Sequence, residues 1–370
     1  MSTNRRGERS LSRTSAADTM RYCVPWRPIL NGEFSFLLGQ LIGRNSLTAV
    51  DVRAAFDAIL SGEWTPVQVG AFAVALRMAG ETAEIISAAV EAMREAMTPV
   101  RHGLALVVDT CGTGGDGAQT LNLSSAAAVV VAACGVPVAK HGNRSASSRC
   151  GSADVFEAMG IPLDVPPDRQ GDILREAGIA FLFAQAHHPA LRHASVARRD
   201  LGTRTIFNVL GPLANPARAT HQLVGVYDDD LRPLIAQALG RLGVTRAWVV
   251  RSEDGLDELS PAAPTRVTEL DQNGQVRELV VAPDDFGLPR TTLSTLAGGE
   301  VETNARAVRA ILEGEPHPAR NAVVLNAAAA LHVATGDSLR ACADRAEGAL
   351  EGATSRTFES WREAALRARG

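Results

Sequence analysis

The sequence is poor in several kinds of residue, and each shortage excludes a class of protein. Aromatic residues make up 4% of 370 positions. No apolar run approaches the roughly 20 residues that a membrane-spanning helix requires. Five cysteines, namely Cys23, Cys111, Cys134, Cys150 and Cys342, form no CxxC pair, so we expect reduced thiols and neither a disulfide framework nor a zinc site. A formal net charge of -4 offers no basic excess for nucleic acid. We therefore expect a soluble cytoplasmic protein with no membrane or nucleic-acid partner.

Lysine is the rarest basic residue. Lys140 is the only lysine, and arginine fills every other one of the 37 positions that carry lysine or arginine. The two side chains are not equivalent, because an ammonium group is a compact point charge whereas a guanidinium group is a planar fork. A chain that uses arginine everywhere else is therefore expected to need an ammonium charge at position 140.

The pattern of apolar residues changes near residue 102. Between residues 34 and 98, apolar residues recur at three- and four-residue spacing, and Thr48, Thr65 and Thr82 stand where helices would begin. From Leu104 onward, short apolar strands alternate with helices, which predicts βαβ units. The predicted fold class is α/β, with a small all-helical N-terminal domain and a large α/β domain whose mainly parallel central sheet is covered by helices.

The predicted boundaries follow from this change. Residues 1–25 are polar and rich in arginine, and we interpret them as a disordered extension and not as a transit peptide. Residues 26–101 form the small helical domain, to which helix 189–201 is a candidate addition, and residues 102–370 form the large domain. Its predicted strands lie near 104–109, 136–140, 179–183, 222–227 and 246–251, with an added hairpin at 264–283. Its predicted helices lie near 124–134, 152–159, 168–177, 189–200, 229–242, 302–313, 320–334, 337–350 and 355–368.

A glycine-rich stretch, the first anion segment (residues 112–125), follows the first predicted strand. Its glycines, at positions 112, 114, 115 and 117, leave backbone amides unobstructed, and Ser124 and Ser125 stand where the next helix would begin. Amides at a helix start bind anions, and Thr120 and Asn122 add polar groups. The spacing is neither that of a dinucleotide fold nor that of a P-loop, so a structural turn is an open alternative. Taken with its neighbours, the segment predicts a phosphate site.

A donor-rich stretch, the second anion segment (residues 140–152), follows the next predicted strand. Its first donors are Lys140, His141, Asn143 and Arg144. Ser147, Ser148 and Ser152 lie before the next helix and could bind an anion there, although simple capping is the alternative and is favoured for Ser152 alone. Ligands of parallel sheets bind beyond the carboxyl ends of the strands. Both anion segments are therefore expected at the same edge of the sheet.

Two neighbouring carboxylates, Asp257 and Glu258, lie in a polar turn after the fifth predicted strand. Adjacent carboxylates on a loop are often only solvated. Mg²⁺, however, takes one or two carboxylates together with waters and phosphate oxygens. Because two anion segments are expected at the same sheet edge, we favour a magnesium site.

A basic stretch runs from His187 to Pro216. His188 and His193 are five residues apart and do not share a helix face, which disfavours a zinc site. An arginine here could bind a carboxylate through its planar fork. A solvated helix face is the alternative, and the residues alone leave the choice open between three candidates, Arg192, Arg198 and Arg199.

Together these motifs resemble those of the anthranilate phosphoribosyltransferase family. The matching blocks are GTGGDG, TLNLSS, KHGNR with the serines and GSAD that follow it, the stretch from HPALRH to LGPLANP, and DGLDE. The resemblance runs from residue 34 to the C-terminus. It implies a homodimer formed through the helical domain. It also implies a glycosyltransferase that moves the 5-phosphoribosyl group of phosphoribosyl diphosphate (PRPP) to the amino group of anthranilate, the second step of tryptophan biosynthesis from chorismate.

The resemblance also implies site residues. It implies that PRPP contacts Gly112, Gly115, Asp116, Thr120, Asn122, Leu123, Ser124, Ser125, Lys140, His141, Gly142, Asn143, Arg144, Ser147, Ser148 and Ser152. It implies that anthranilate contacts Gly112, Asn143 and Arg198. Its implied cofactor is Mg²⁺, held by Ser124, Asp257 and Glu258. No catalytic acid or base is assigned.

Two other functions stay open at this point. A pyrimidine nucleoside phosphorylase would share the two-domain plan and use phosphate as its nucleophile, but the Asp257–Glu258 pair and the KHGNR block favour a metal-bound diphosphate. A non-catalytic paralogue that binds nucleic acid would need a basic stripe, which the negative net charge disfavours.

Overall fold

The computed structural model describes residues 32–145 and 149–369. The extension expected at residues 1–25 and two of the expected PRPP contacts, Ser147 and Ser148, lie outside the described residues.

The described chain opens with four helices: α1 (Gly32–Ile42), α2 (Ala49–Ser61), α3 (Pro66–Ala79) and α4 (Ala83–Ala96). The predicted helix starts are confirmed, because Thr48, Thr65 and Thr82 each accept a hydrogen bond from the amide of the third residue of the following helix. Gly62 ends α2 in the left-handed conformation that glycine tolerates best. Local sequence thus defines the helical bundle.

The central sheet has seven strands in the order β3-β2-β1-β4-β5-β6-β7. Their bounds are β1 (Val108–Gly112), β2 (Val138–Gly142), β3 (Ile179–Phe183), β4 (His221–Gly225), β5 (Arg246–Ser252), β6 (Thr265–Leu270) and β7 (Val276–Val281). The first five strands pair in parallel, and β6 and β7 form an antiparallel hairpin on β5. The mainly parallel sheet and the added hairpin are both as predicted.

The remaining helices connect or cover these strands. They are α5 (Leu123–Ala133), α6 (Ser152–Ala158), α7 (Gln170–Ala177), α8 (Ala184–His187), α9 (Arg192–Leu201), α10 (Phe207–Leu213), α11 (Leu231–Arg241), α12 (Val301–Leu312), α13 (Arg320–Thr335), α14 (Leu339–Ala349) and α15 (Ala353–Arg369). Short 3₁₀ turns lie at Pro167–Arg169, Pro189–Leu191, Pro283–Phe286 and Leu293–Leu296.

Two buried clusters flank the sheet. Because neighbouring residues of a strand point to opposite faces, Val249 of β5 belongs to one cluster and Val250 to the other. The Val249 cluster continues into the helical bundle through Phe56, and Ala194 of α9 is part of it, so α9 packs with the bundle. This contact agrees with the suggestion that helix 189–201 adds to the small domain, although the domain boundaries themselves stay a prediction.

Three details of the predicted elements were wrong. The first strand was placed at 104–109, but it lies at Val108–Gly112, because Leu104 and Leu106 pack on the core from a connecting segment. The helix predicted from 189 begins only at Arg192, after a 3₁₀ turn. Helix α10 was missed, since its seven residues contain a glycine and a proline, which are both poor helix formers.

Candidate active site

The candidate site lies at the carboxyl ends of β1, β2 and β4, each of which ends in a glycine. A Cβ atom on Gly225 would lie 1.5 Å from the backbone oxygen of Asp257, and one on Gly112 would lie 3.0 Å from its Oδ2. The acidic turn therefore rests directly on two strand ends that only glycine can form at this separation. Gly142 ends β2 in the same way, directly beneath the hydroxyl of Ser152.

The acidic pair joins the two ends of the first anion segment. Oδ2 of Asp257 accepts a hydrogen bond from the amide of Gly114 at 3.0 Å. Oε1 of Glu258 accepts one from the amide of Ser124 at 3.0 Å, at the start of α5. The expectation that these distant motifs share one edge of the sheet is thus borne out by their contacts.

Burial changes the acidity of this pair. Desolvation, followed by the charge of the neighbouring Asp116, raises the pKa of Asp257 to about 7. Desolvation and the charge of Asp257 raise the pKa of Glu258 to about 8. Two adjacent carboxylates in a buried site are costly to ionise together. The pair is therefore suited to a compensating cation.

Asn326 of α13 fixes the position of the acidic turn, and no motif had indicated it. Its Oδ1 accepts a hydrogen bond from the amide of Leu259 at 3.0 Å, and its Nδ2 donates to the carbonyl of the same residue at 3.0 Å. Leu259 directly follows Glu258 in the sequence. Asn326, Asp257 and Glu258 also line a small cavity with room for about one water molecule. A polar side chain inside an alanine-rich helix was the signal that could have found it.

Lys140 lies beneath the first anion segment. Its side chain is 2% exposed, and Nζ donates to the carbonyl of Thr110 and lies 3.4 Å from Oγ of Ser124. The buried carboxyl of Asp109 is near enough for the charge of Lys140 to lower its pKa, although desolvation dominates and raises it. The only lysine thus contributes its charge from below the strand ends.

His141 is held in one tautomer. Burial, and then the nearby His188 and His187, lower the pKa of His141 well below its ordinary range, so its ring is neutral near pH 7. Nδ1 lies 3.1 Å from the carbonyl oxygen of Gly211, which can only accept, so Nδ1 carries the proton. Nε2 is buried without a hydrogen-bond partner among the described residues.

The second anion segment turns back on α6. Arg144 pairs through Nη1 with Asp154 and with Glu157, both at 2.8 Å. The carbonyl of Asn143 accepts hydrogen bonds from the amide of Ala153 at 3.2 Å and from the hydroxyl of Ser152 at 3.4 Å. The guanidinium of Arg144, an expected PRPP contact, is therefore already paired with carboxylates of α6.

The other residues expected to bind PRPP are spread along the first anion segment. Leu123 and Ser125 are buried in α5, and no partner for the Ser125 hydroxyl occurs among the residues the structure describes. Thr120 forms an antiparallel bridge with Ala297, and Asn122 donates to the carbonyl of Cys150 at 3.2 Å. The segment is thus tied to distant parts of the chain along its length.

The carbonyl of Gly115 has a partner that the motifs did not indicate. It accepts a hydrogen bond from Arg204, whose guanidinium stacks 3.9 Å from the ring centroid of Tyr227. Asp116, the next residue, accepts a hydrogen bond from the amide of Ala118 at 3.1 Å.

The structure distinguishes the three arginines of the basic stretch. Arg192 donates to the carbonyl of Pro189 at 3.3 Å, and Arg199 pairs with Asp200 at 3.4 Å. Arg198 lies 5.7 Å from the ring centroid of Phe207, and it has no ion pair within the described ranges. Its side chain keeps contact with solvent, while the surrounding protein lowers the pKa of the guanidinium by desolvation. Arg198 is therefore the cation best prepared for an added carboxylate.

The described residues contain neither a ready-made metal cluster nor a membrane-spanning helix. Among residues 32–145 and 149–369, no three His, Cys, Asp or Glu side chains are grouped to hold a metal ion by themselves. Within the same ranges, every helix is too short or too polar to cross a bilayer.

Family models identify the class of protein that this fold and site define. Residues 104–354 match the a/b domain of the glycosyl transferase family, and residues 36–97 match the helical bundle domain of a family of the same name. The chain is thus a glycosyltransferase built from a small helical and a large α/β domain, as the sequence predicted.

Individual relatives narrow the class. An anthranilate phosphoribosyltransferase of Myxococcus xanthus is 48% identical over 320 residues, which cover 86% of this chain and 95% of that protein. The crystal structure of anthranilate phosphoribosyltransferase from Thermus thermophilus superposes with a TM-score of 0.85 at 40% identity, covering 89% of this chain and 99% of that one. The Saccharomyces cerevisiae enzyme in complex with PRPP and Mg has a TM-score of 0.84 at 26% identity, covering 91% and 99%.

This chain belongs to the anthranilate phosphoribosyltransferase family. None of these relatives is named as a nucleoside phosphorylase or as a nucleic-acid-binding protein, so the two alternatives gain no support.

Proposed function

We propose that this chain transfers the 5-phosphoribosyl group from PRPP to the amino group of anthranilate, giving N-(5-phosphoribosyl)anthranilate and diphosphate. The observation that carries the proposal is the contact of the acidic pair with both ends of the first anion segment, through Gly114 and Ser124. These contacts place two buried carboxylates beside the glycine-rich loop, where a metal-bound diphosphate would lie.

The PRPP site is proposed to use both anion segments. Backbone amides of the glycine-rich loop would face the diphosphate, with the charge of Lys140 beneath them, whereas the amide of Ser124 at the start of α5 already donates to Glu258. His141, Gly142 and Asn143 at the end of β2 would face the sugar and its phosphate, together with Ser152 at the start of α6 and the expected contacts at Ser147 and Ser148. Arg144 would act mainly by shaping the second segment, because α6 already neutralises its charge.

Ser124, Asp257 and Glu258 fit a magnesium site. The two carboxylates are buried and adjacent, and burial is the main cause that raises both pKa values, so a bound cation would stabilise their charged forms. Mg²⁺ prefers oxygen ligands and completes its shell with water and phosphate oxygens, so two carboxylates and one hydroxyl suffice. When bound, the ion would neutralise negative charge on the diphosphate leaving group. A yeast relative has been solved with PRPP and Mg.

Anthranilate is proposed to bind through its carboxylate to Arg198, with Asn143 and Gly112 at the boundary of the two substrates. The guanidinium has no competing ion pair among the described residues and is partly desolvated, so a planar carboxylate would gain a strong charge-assisted contact. A yeast relative in complex with 4-fluoroanthranilate has a TM-score of 0.82 with this chain.

The residues of the chain then serve a substitution at C1 of the ribose. The bond from C1 to the diphosphate oxygen breaks, the bond from C1 to the anthranilate nitrogen forms, and the nitrogen releases one proton. Lys140 and the loop amides stabilise the negative charge that collects on the diphosphate. The aromatic amine is neutral at pH 7 and already nucleophilic, so the rate derives largely from holding the two substrates in line.

The oligomeric state and the cellular location are also part of the proposal. Phe36, Ile42, Val67 and Met78 of the helical bundle are large apolar residues exposed to solvent, and such a surface favours burial against a second copy. We propose a cytoplasmic homodimer joined through this bundle that serves tryptophan biosynthesis. Light scattering should give twice the mass of one chain.

One assay tests the reaction. The fluorescence of anthranilate should decay only when PRPP and Mg²⁺ are both present, with one diphosphate released for each anthranilate consumed. Phosphate-dependent cleavage of a pyrimidine nucleoside, with no loss of anthranilate, would instead identify a phosphorylase. Retention of nucleic acid without either activity would identify a binding protein.

A further inference from the structure

Asn304, near the start of α12, is a buried amide that none of the motifs explains. Its side chain is 2% exposed, while the other buried residues of the helix are Ala305, Val308, Ile311 and Leu312. A buried amide is costly unless its polar atoms have partners. The partners of Asn304 should therefore show why a polar residue is needed there.

Three hydrogen bonds link α12 to both anion segments. The amide of Gly299 donates to Oδ1 of Asn304 at 2.7 Å. Nδ2 of Asn304 donates to Oδ1 of Asn122 at 3.1 Å, in the first anion segment. Nδ2 of Asn122 in turn donates to the carbonyl of Cys150 at 3.2 Å, near the end of the second anion segment. The two asparagines thus form a bridge that runs from α12 through the first segment to the second.

The donor-to-acceptor direction of the hydrogen bonds in this bridge is determined by the backbone groups at its two ends. It begins at a backbone N–H, which can only donate, and it ends at a backbone carbonyl, which can only accept. Each asparagine must therefore present its oxygen toward Gly299 and its nitrogen toward Cys150, and flipping either amide would oppose two like groups. A chain of this kind accepts only asparagine or a close equivalent at each position.

Backbone contacts hold α12 against the first anion segment in addition to the bridge. The stretch just before α12 pairs with the middle of the first anion segment through two backbone hydrogen bonds. The amide of Leu121 donates to the carbonyl of Leu296 at 2.9 Å, and the amide of Gly298 donates to the carbonyl of Gln119 at 2.9 Å. A Cβ atom on Gly298 would lie 2.6 Å from the carbonyl oxygen of Thr120, so the two backbones are in direct contact.

We propose that Asn304 is a positioning residue for PRPP: through Asn122 it fixes the separation of the two anion segments that hold one substrate. The inference rests on the proposed function, since it concerns the affinity of the same site. Anthranilate depends on Arg198 of α9 instead, so loss of the bridge should weaken PRPP binding and leave anthranilate binding nearly unchanged.

The test uses two substitutions of Asn304 in the full chain. Asn304→Ala removes both hydrogen bonds of Asn304 and leaves the one from Asn122 to Cys150. Asn304→Asp keeps an acceptor for Gly299 but turns a second oxygen toward Oδ1 of Asn122, so it breaks only the link from α12 to the first anion segment. We expect each to raise the KM for PRPP about tenfold, with the KM for anthranilate changed by less than about twofold.

Thr354→Val is the matched control. The Thr354 hydroxyl is buried and donates to the carbonyl of Leu312 at the far end of α12, so its loss removes a buried hydrogen bond from the same helix away from the site. It should lower the Tm while both KM values stay at wild type. Adding Asn304→Ala to Asn122→Ala should change the KM for PRPP little beyond the effect of Asn122→Ala alone, because Asn304 acts through Asn122.

The outcomes separate the inference from the proposed function. If wild type shows no turnover of anthranilate with PRPP and Mg²⁺, the proposed function fails. If wild type is active and a folded Asn304→Asp variant keeps its PRPP KM, or raises both KM values equally, the positioning role is wrong. Should Asn304→Ala not fold, Asn304→Asp decides the question by the same comparison of KM values.

Discussion

The two anion segments are held in place in different ways. The first is fixed by distant residues: Asp257 binds Gly114, Glu258 binds Ser124, and Asn304 binds Asn122. From Asn143 onward, the second is fixed mainly by the helix that follows it, through Asp154 and Glu157 of α6. The first segment therefore depends on the folding of the whole large domain, whereas the second depends largely on its own neighbourhood. Changes far away in sequence should damage the first segment most.

The largest expected effect comes from Gly225→Ala. The added Cβ would lie 1.5 Å from the backbone oxygen of Asp257, and backbone cannot yield as a flexible side chain can. We expect the acidic turn to be displaced and kcat/KM for PRPP to fall at least about a hundredfold, as misplacement of about 1 Å can cause.

Gly348→Ala is the control for this substitution, because its Cβ would meet no atom within 4 Å in α14. It should leave activity unchanged. Full activity in Gly225→Ala would show that the first segment does not depend on the position of the acidic turn.

The next effect concerns the acidic pair itself. Asp257→Asn combined with Glu258→Gln should raise the Mg²⁺ concentration needed for half-maximal activity by about tenfold or more, because two carboxylates are the charged ligands of the proposed site. A magnesium titration measures this. Asp284→Asn with Asp285→Asn, which alters another adjacent pair in a 3₁₀ turn, should leave the titration as in wild type.

The same pair predicts a pH dependence of stability without metal. Burial raises the pKa of Asp257 to about 7 and that of Glu258 to about 8, so the folded chain retains protons that the unfolded chain has lost. The free energy of unfolding should therefore fall as pH rises from about 5 to about 8. With a chelator present to remove metal ions, the Tm of wild type should drop over this pH range more steeply than the Tm of the Asp257→Asn, Glu258→Gln double variant. Equal slopes would contradict the raised pKa values.

A smaller effect on a different substrate is expected for Arg198→Ala. Because its guanidinium is the proposed partner of the anthranilate carboxylate, the KM for anthranilate should rise about tenfold while that for PRPP changes little. Arg199→Ala is the matched neighbour, since that side chain already pairs with Asp200. An effect of Arg198→Ala confined to PRPP would mean that the acceptor site lies elsewhere.

The smallest effect is expected for Arg144→Ala. This side chain is 44% exposed and its ion pairs with α6 are partly solvated, so they contribute only about 1 kcal/mol or less. The KM for PRPP should rise by no more than about fivefold. Arg175→Ala, which removes another exposed pair, serves as the control. A loss of kcat/KM for PRPP as large as that of Gly225→Ala would contradict the proposed difference between the two anion segments.

The sequence predicted the parts of this molecule that are encoded locally. Threonines at helix starts, the strand–helix alternation and the anion segments could all be recognised from neighbouring residues. The distant partners could not, because nothing near Gly115 indicates Arg204 and nothing near Leu259 indicates Asn326. Apart from the family resemblance, the choice among the three arginines also needed the fold, since Arg199 has an ion pair with Asp200 and Arg192 donates to a backbone carbonyl.

The buried position of Lys140 has a practical consequence for chemical labelling. It is the only lysine of the chain, and its side chain is 2% exposed. Reagents that acylate amines therefore have one side-chain target, which they reach only when the first anion segment moves away from the strand ends above Lys140. The rate of acylation at this residue, read by mass spectrometry, would time that opening in solution, and a bound diphosphate sugar should slow it.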